Sequence, residues 1–297
     1  MLRPVVVGSD GSRRSLAAAD WAAREALRRG LSLQVVQAWE GTTTPGETER
    51  PERNGPRCLA RRALEDTADR LRESYPELSV GTRQITGSAT DVLIAVGGQA
   101  ELLALGSRAV GGVGGFLAGS VVQVVVGHVK RPVVLVRAGG TLADEHLPDT
   151  GGQPSTHTPY RAVVVGIDPR HPCEELLSFA FESAALRAAP LRVVRTWRLP
   201  YVQAAAAARV HRAMAASAAR ALAAAVEPWR EKFPTVEVHE LVQEGRPSHT
   251  LPTAARDAGL LVVGRRIRSG RLGAHTGYVA HAAMHRARCP VAVVSHD

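Results

Sequence analysis

Lysine is nearly missing from this chain: among 37 lysines and arginines, only Lys130 and Lys232 are lysine. Together with abundant alanine, this skew follows more simply from a GC-rich coding sequence than from selection for a phosphate-binding face. The arginines are spread through candidate helices rather than gathered in one run. The formal charge of +9 is therefore not read as a nucleic-acid surface. Cysteine is also scarce. Cys58, Cys173 and Cys289 are odd in number and far apart, which leaves no disulfide framework and no thiolate metal spacing. No apolar run approaches the roughly 18 residues that a bilayer span requires. The opening Met1–Pro4 followed by Val5-Val6-Val7 is too short for a secretory leader, so a cytoplasmic location without a membrane partner is expected. The histidines, among them His211, His239 and His249, form no pair at metal-ligand spacing with a carboxylate partner. Neither a P-loop Gly-Lys-Ser/Thr nor a Gly-x-Ser-x-Gly elbow occurs, and no catalytic residue is assigned.

What is present is repetition. The chain has 297 residues, about two domains' worth, and four blocks recur in order at a nearly constant offset. Val5–Asp10 returns as Val163–Asp168, and Leu33–Trp39 as Leu191–Trp197. Leu102–Arg108 returns as Leu260–Arg266, and Arg131–Val136 as Cys289–Val294. The chain is a tandem duplication, read as a first domain over 1–138, a linker over 139–160 and a second domain over 161–297. The linker is rich in Gly, Pro, Thr and Asp and lacks apolar periodicity.

Each half alternates strand and helix. Val5–Val7, Leu102–Leu105 and Val133–Val136 are short apolar runs typical of strands buried on both faces. Leu33–Trp39 and Leu78–Thr86 complete five strands. Ser12–Arg29 places Leu16, Ala19, Ala23 and Leu27 at helical spacing, with Gly30 as its stop. Further helices are read at Cys58–Ser74, Thr90–Val96 and Ser120–His128, with a polar loop over Gly41–Gly55. In the second half an Ala-rich helix over Gln203–Lys232, with a kink at Pro228, replaces the polar loop and the helix after it. The fold class is α/β, each half a five-stranded parallel sheet with helices on both faces. Val133–Val136 and Val291–Val294, last in their sheets, are apolar edges that mutual pairing would protect. Pairing of the two halves, and association of two chains, are expected.

Open parallel sheets bind ligands at the carboxyl ends of their strands. Three segments of the first half converge there: Asp10 after the first strand, Ala38 in the second, and Gly106–Ser120 after the fourth. The last reads Gly106-Ser107-Arg108-Ala109-Val110-Gly111-Gly112-Val113-Gly114-Gly115-Phe116-Leu117-Ala118-Gly119-Ser120 and leads straight into a helix. Its glycines would let backbone amides approach a phosphate at the positive end of that helix. A Gly-rich connection without a ligand reads equally well from these residues alone.

The chain resembles the universal stress protein family in tandem form. Nucleotide-binding members carry Gly, two residues, Gly, nine residues, Gly, then Ser or Thr. Here Gly106, Ala109, Gly119 and Ser120 fall on those positions, with Ala109 the one departure. Val7-Gly8-Ser9-Asp10-Gly11-Ser12, the repeated Trp39, Leu102–Arg108 and the final Pro-Val strand fit as well. The resemblance implies ATP as ligand, with Mg2+ as its companion ion. It implies Asp10 and Ala38 beside the adenine and ribose, and Leu105 and Gly106 by the ribose and first phosphate. Arg108, Ala109, Gly119, Ser120 and Val121 would surround the phosphates. It further implies a regulatory, stress-response role with little or no catalysis. A nucleotide-free interaction module and an adenine-nucleotide hydrolase of a related type are the alternatives. The second half departs further, with Ile267 and Tyr278 at motif positions and Pro169 after Asp168, and is expected to carry a degenerate site.

Overall fold

The computed structural model describes residues 2–41, 55–107, 120–171, 173–199, 204–267 and 276–296. Two compact units divide the chain, Met1–Thr141 and Leu142–Asp297.

The first unit is built on β1 (Val5–Gly8), β2 (Leu33–Trp39), β3 (Val80–Thr86), β4 (Leu102–Ser107) and β5 (Val133–Arg137). Every pairing among them is parallel, in the order β3-β2-β1-β4-β5. Consecutive residues of β1, β4 and β5 are buried without alternation. A strand shows that pattern only when both faces of its sheet are covered. The cover comes from α1 (Arg13–Arg29), α2 (Pro56–Ser74), α3 (Ala89–Gln99) and α4 (Ser120–His128). Helix α1 lies along β1, β4 and β5 and touches α2, whereas α3 lies on β1 and β2 and touches α4. Gly30 ends α1 as expected: it adopts φ +62 and its amide reaches back to Ala26 and Leu27, a left-handed cap that costs glycine nothing.

The second unit repeats the plan with β6 (Val163–Gly166), β7 (Leu191–Trp197), β8 (Val238–Glu244), β9 (Leu260–Arg266) and β10 (Val291–His296). Its pairings are likewise parallel, in the order β8-β7-β6-β9-β10. Its helices are α5 (Glu174–Arg187), α6 (Ala204–Lys232), α7 (Pro247–Ala254) and α8 (Tyr278–Arg286). Helix α6 runs through Pro228. Phe181 of α5 anchors its far end, with ring centroids 5.7 Å from Trp229 and 5.5 Å from Phe233. The fold class read from the sequence is the fold observed.

Two local differences have physical causes. Residues 142–160, read as linker, carry a 3-10 turn at Leu142–Glu145 and a bridge between His146 and Tyr160. The rings of those two residues lie 4.0 Å apart, and the Asp149 carboxylate accepts from the amides of Gly151 and Gln153. Asx turns of this kind order a Gly/Pro/Asp-rich segment without apolar periodicity. Helix α3 extends to Gln99, past the expected Val96, and Gly97 within it is a packing residue: a Cβ there would lie 3.0 Å from Leu103 and Val129. The expected loop over 42–54 and residue Gln203 lie outside the described residues.

Candidate functional site

The first unit gathers its site where β1, β2 and β4 end. The Ser9 amide donates to the Val36 carbonyl at 2.8 Å, which carries the β1–β2 ladder one residue further. The chain then turns through Asp10 and through Gly11, whose φ of +74 suits glycine. Asp10 Oδ1 accepts from the Ser12 amide at 3.0 Å and from the Ser12 hydroxyl. Ser12 in turn caps α1, accepting from the Ser15 amide. Burial pushes the Asp10 carboxyl up, but the bonds from Ser12 and Ser15 and the charge of Arg14 outweigh it and hold the group below its usual value. Asp10 is thus an ionised acceptor with one oxygen already engaged. Arg14 Nη2 stands 3.6 Å from the other oxygen, an ion pair beyond hydrogen-bond length.

Leu105 and Gly106 follow one another on β4, so they face opposite sides of the sheet. The Leu105 side chain covers Gly8, where a Cβ would lie 2.8 Å from it and 2.9 Å from Leu93 of α3. Gly106 faces α1. A Cβ on it would fall 2.5 Å from the carbonyl carbon and oxygen of Arg14 and 2.8 Å from the Ser15 amide. Only glycine admits so close a backbone approach.

These elements enclose a cavity of about 450 Å³ whose wall includes Asp10, Ala38, Leu105, Gly106 and Val121, a size suited to a small-molecule ligand. Five of the residues singled out from sequence are thus brought together. Arg108, Ala109 and Gly119 lie outside the described residues. Ser120 opens α4, but its side chain too lies outside them. Ser9 and Ser12 of the first-strand motif also line the wall, as do Arg14, Gln37 and Leu93, which no motif singled out. Gln37 is buried and accepts from Gln84 Nε2 at 3.0 Å. Ser9 is 7% exposed, and its hydroxyl has no hydrogen-bond partner among the described residues. Native interiors seldom leave such a group without one.

The second unit has a cavity at the corresponding strand ends, of about 370 Å³. Its aspartate is held differently. Asp168 Oδ1 accepts from the Arg170 amide at 3.2 Å and from Nε at 3.0 Å, and Oδ2 accepts from Nη2 at 2.8 Å. The Arg170 side-chain bonds hold its carboxyl below the usual range. Tyr278, which stands where the motif has Ser or Thr, is 69% exposed. Its N-cap Gly277 adopts φ +81 and makes no side-chain capping bond. At Gly264 a Cβ would meet the His296 ring at 2.9 Å rather than a backbone. Cys173 caps α5 with its sulfur, and burial pushes its thiol up to about 12, which keeps it protonated and unreactive. Residues 268–275 lie outside the described residues.

Among the described residues no group of three His, Cys, Asp or Glu side chains could hold a metal ion, and no helix is long and apolar enough to cross a membrane.

Comparison with known proteins agrees with the duplicated plan. The family model described as "Universal stress protein family" matches residues 1–137 and again 159–295. Universal stress protein Rv2005c of Mycobacterium tuberculosis is 29% identical over 97% of this chain and 96% of its own length. Universal stress protein Rv1996 of the same organism is also 29% identical, over 97% of this chain and 94% of its own. Among solved structures, a universal stress protein from Archaeoglobus fulgidus superposes with a TM-score of 0.62 at 14% identity, covering 99% of this chain and 98% of that one. The functionally unknown protein PA1789 from Pseudomonas aeruginosa superposes with a TM-score of 0.60 at 15% identity, covering 100% and 93%. With the family model matched to each half, the chain belongs to the universal stress protein family.

Proposed function

We propose that the first unit binds an adenine nucleotide, ATP in particular, and that the chain acts as a nucleotide-responsive regulator in the cytoplasm under stress, with little or no hydrolysis. The observation that supports this most is the cavity of about 450 Å³ at the ends of β1, β2 and β4. Two features of it fit a nucleotide. Gly106 lets the backbone of α1 dock directly against its wall, and the Ser9 hydroxyl on that wall has no partner among the described residues. Asp10 would accept from the ribose or base, Ala38 and Leu105 would line the base, and Gly106 would let the first phosphate close to the backbone. Arg108, Ala109, Gly119, Ser120 and Val121 would surround the remaining phosphates at the start of α4, where the helix dipole favours an anion. Mg2+ would be carried by the phosphates rather than by a protein cage. No general base is assigned, which is the basis for expecting slow turnover or none. The second unit is proposed to contribute structure rather than a second nucleotide, because Asp168 is already clasped by Arg170.

Denaturing the purified chain and chromatographing what it releases, followed by calorimetric titration of ligand-free protein with ATP, tests this. One ATP per chain is expected. A chain that releases no nucleotide and gives no heat with ATP removes the reading. Sedimentation of the purified chain tests the proposed association of two chains.

A further inference from the structure

Arg14 stands out because no motif explains its position. It lies in the first turn of α1, a turn with no acidic residue. A cation there is disfavoured by the helix dipole, which already presents positive charge at that end. Its backbone is pressed against Gly106, within 2.5 Å of where a Cβ would stand. Its side chain is on the cavity wall and 32% exposed. Its guanidinium faces Asp10 Oδ2 at 3.6 Å, too far to fix its five donors in hydrogen bonds. Arg170 in the second unit shows what a satisfied arrangement looks like, with its fork closed on both oxygens of Asp168.

We propose that Arg14 is a specificity-determining residue of the first cavity, which selects phosphorylated adenine ligands over the bare nucleoside by engaging the first phosphate. The inference rests on the nucleotide reading above. A phosphate beside Gly106 sits next to the ionised Asp10, and the two anions repel. A planar guanidinium between them can face a carboxylate on one edge and a phosphate oxygen on the other. It compensates the fixed negative charge and supplies charge-assisted bonds to the arriving one. The positive end of α1 adds to the same field. A neutral nucleoside gains none of this.

Calorimetric titration of the full chain with ATP and, separately, adenosine tests it, on wild type, Arg14→Gln and Arg14→Lys. Wild type is expected to bind ATP more tightly than adenosine. Arg14→Gln should lose about tenfold or more in ATP affinity, the scale of one charged hydrogen bond, while adenosine affinity stays within about twofold. Arg14→Lys, which keeps the charge and loses the fork, should fall between. An equal loss for both ligands would show that Arg14 merely supports the α1 cap, and no loss for ATP would show that it does not meet the phosphate; either overturns the inference and leaves the nucleotide reading intact. A folded wild type that binds neither ligand overturns both. Thermal denaturation of each variant identifies any loss that comes from unfolding.

Discussion

In the first unit the aspartate at the end of β1 is tied by one oxygen to the cap of its own helix, and its other oxygen faces Arg14 across 3.6 Å. In the second unit the aspartate after β6 is closed by Arg170 through three bonds of 2.8–3.2 Å. The strand scaffold is the same in both. The difference arises within two or three residues, Gly11-Ser12 against Pro169-Arg170. Pro169 has no amide to offer and fixes its own φ, and the residue after it swings back onto the carboxylate. A duplicated fold can thus keep its sheet while one copy spends its polar groups internally and the other leaves them facing a cavity.

That contrast can be broken most sharply at the starts of the two cavity helices. Gly119→Val should abolish ATP binding by the whole chain, and Gly277→Val should leave it nearly unchanged, both read by calorimetry. A Cβ added at Gly277 meets no atom of the described residues within 4 Å, so the main cost of valine is the backbone strain of φ +81, about 1–2 kcal/mol, and it should show in stability rather than binding. Two ATP per chain, or binding lost with the Gly277 change, would show that the copies have not diverged as argued.

The next effect is on packing. Gly106→Ala drives a methyl into the backbone of Arg14 and Ser15, whereas Gly264→Ala meets the ends of the His296 and Leu176 side chains. Backbone cannot step aside as a ring can. Gly106→Ala should cost about 3 kcal/mol and Gly264→Ala about 1 kcal/mol. Hydrogen exchange read separately over each unit is the measurement; equal loss of protection in the two variants would contradict the close approach of α1.

A smaller effect is expected at Ser9. Its hydroxyl is buried without a partner among the described residues, and the second half places Ile167 at the same point of the repeat. Ser9→Ala should be neutral or stabilise the ligand-free chain by up to about 1 kcal/mol. A clear loss of stability in urea titration would reveal a bond that the hydroxyl makes.

The smallest concerns acid. Asp168 is held below the ordinary carboxyl value by Arg170. Its ionisation therefore favours the folded chain above about pH 4, near the unfolded value, and that contribution disappears as pH falls through the lower folded value. Arg170→Ala should raise the Asp168 titration toward the ordinary range and shrink the part of the stability that acid removes. Carboxyl carbon NMR on wild type and variant would follow it, and an unmoved titration would mean that the clasp is not its cause.

The repeated blocks made the architecture legible, because unbroken runs such as Val5-Val6-Val7 and Leu102–Leu105 have few other folded uses than doubly covered strands. Boundaries were less legible where a residue had a second use. Gly97 reads as a helix end but serves as a contact, and residues 142–160 read as linker but are pinned by His146, Tyr160 and Asp149. Within the site, Asp10, Ala38 and Gly106 could be placed because they lie at strand ends, while Leu105 and Val121 came from the family resemblance. Arg14 and Gln37 could not, since what makes them wall residues is the docking of α1 and the register of β2 on β3.

The strand order also governs the birth of the protein. β1 is the third strand of its sheet and pairs on one side with β2 and on the other with β4, Val5 lying beside Leu102. A ribosome adding roughly 5–20 residues per second therefore releases β1 about 5–20 s before its second neighbour exists. Over that interval an apolar strand has one edge filled and one bare, at the stage when nascent chains are most prone to wrong partners. Since β4 and β5 both emerge before any of β6–β10, the first sheet can close before the related strands of the second half can compete for its edges. Slow stretches of translation placed after residue 141 should favour correct folding, and the same delay placed between β2 and β4 should lower the soluble yield.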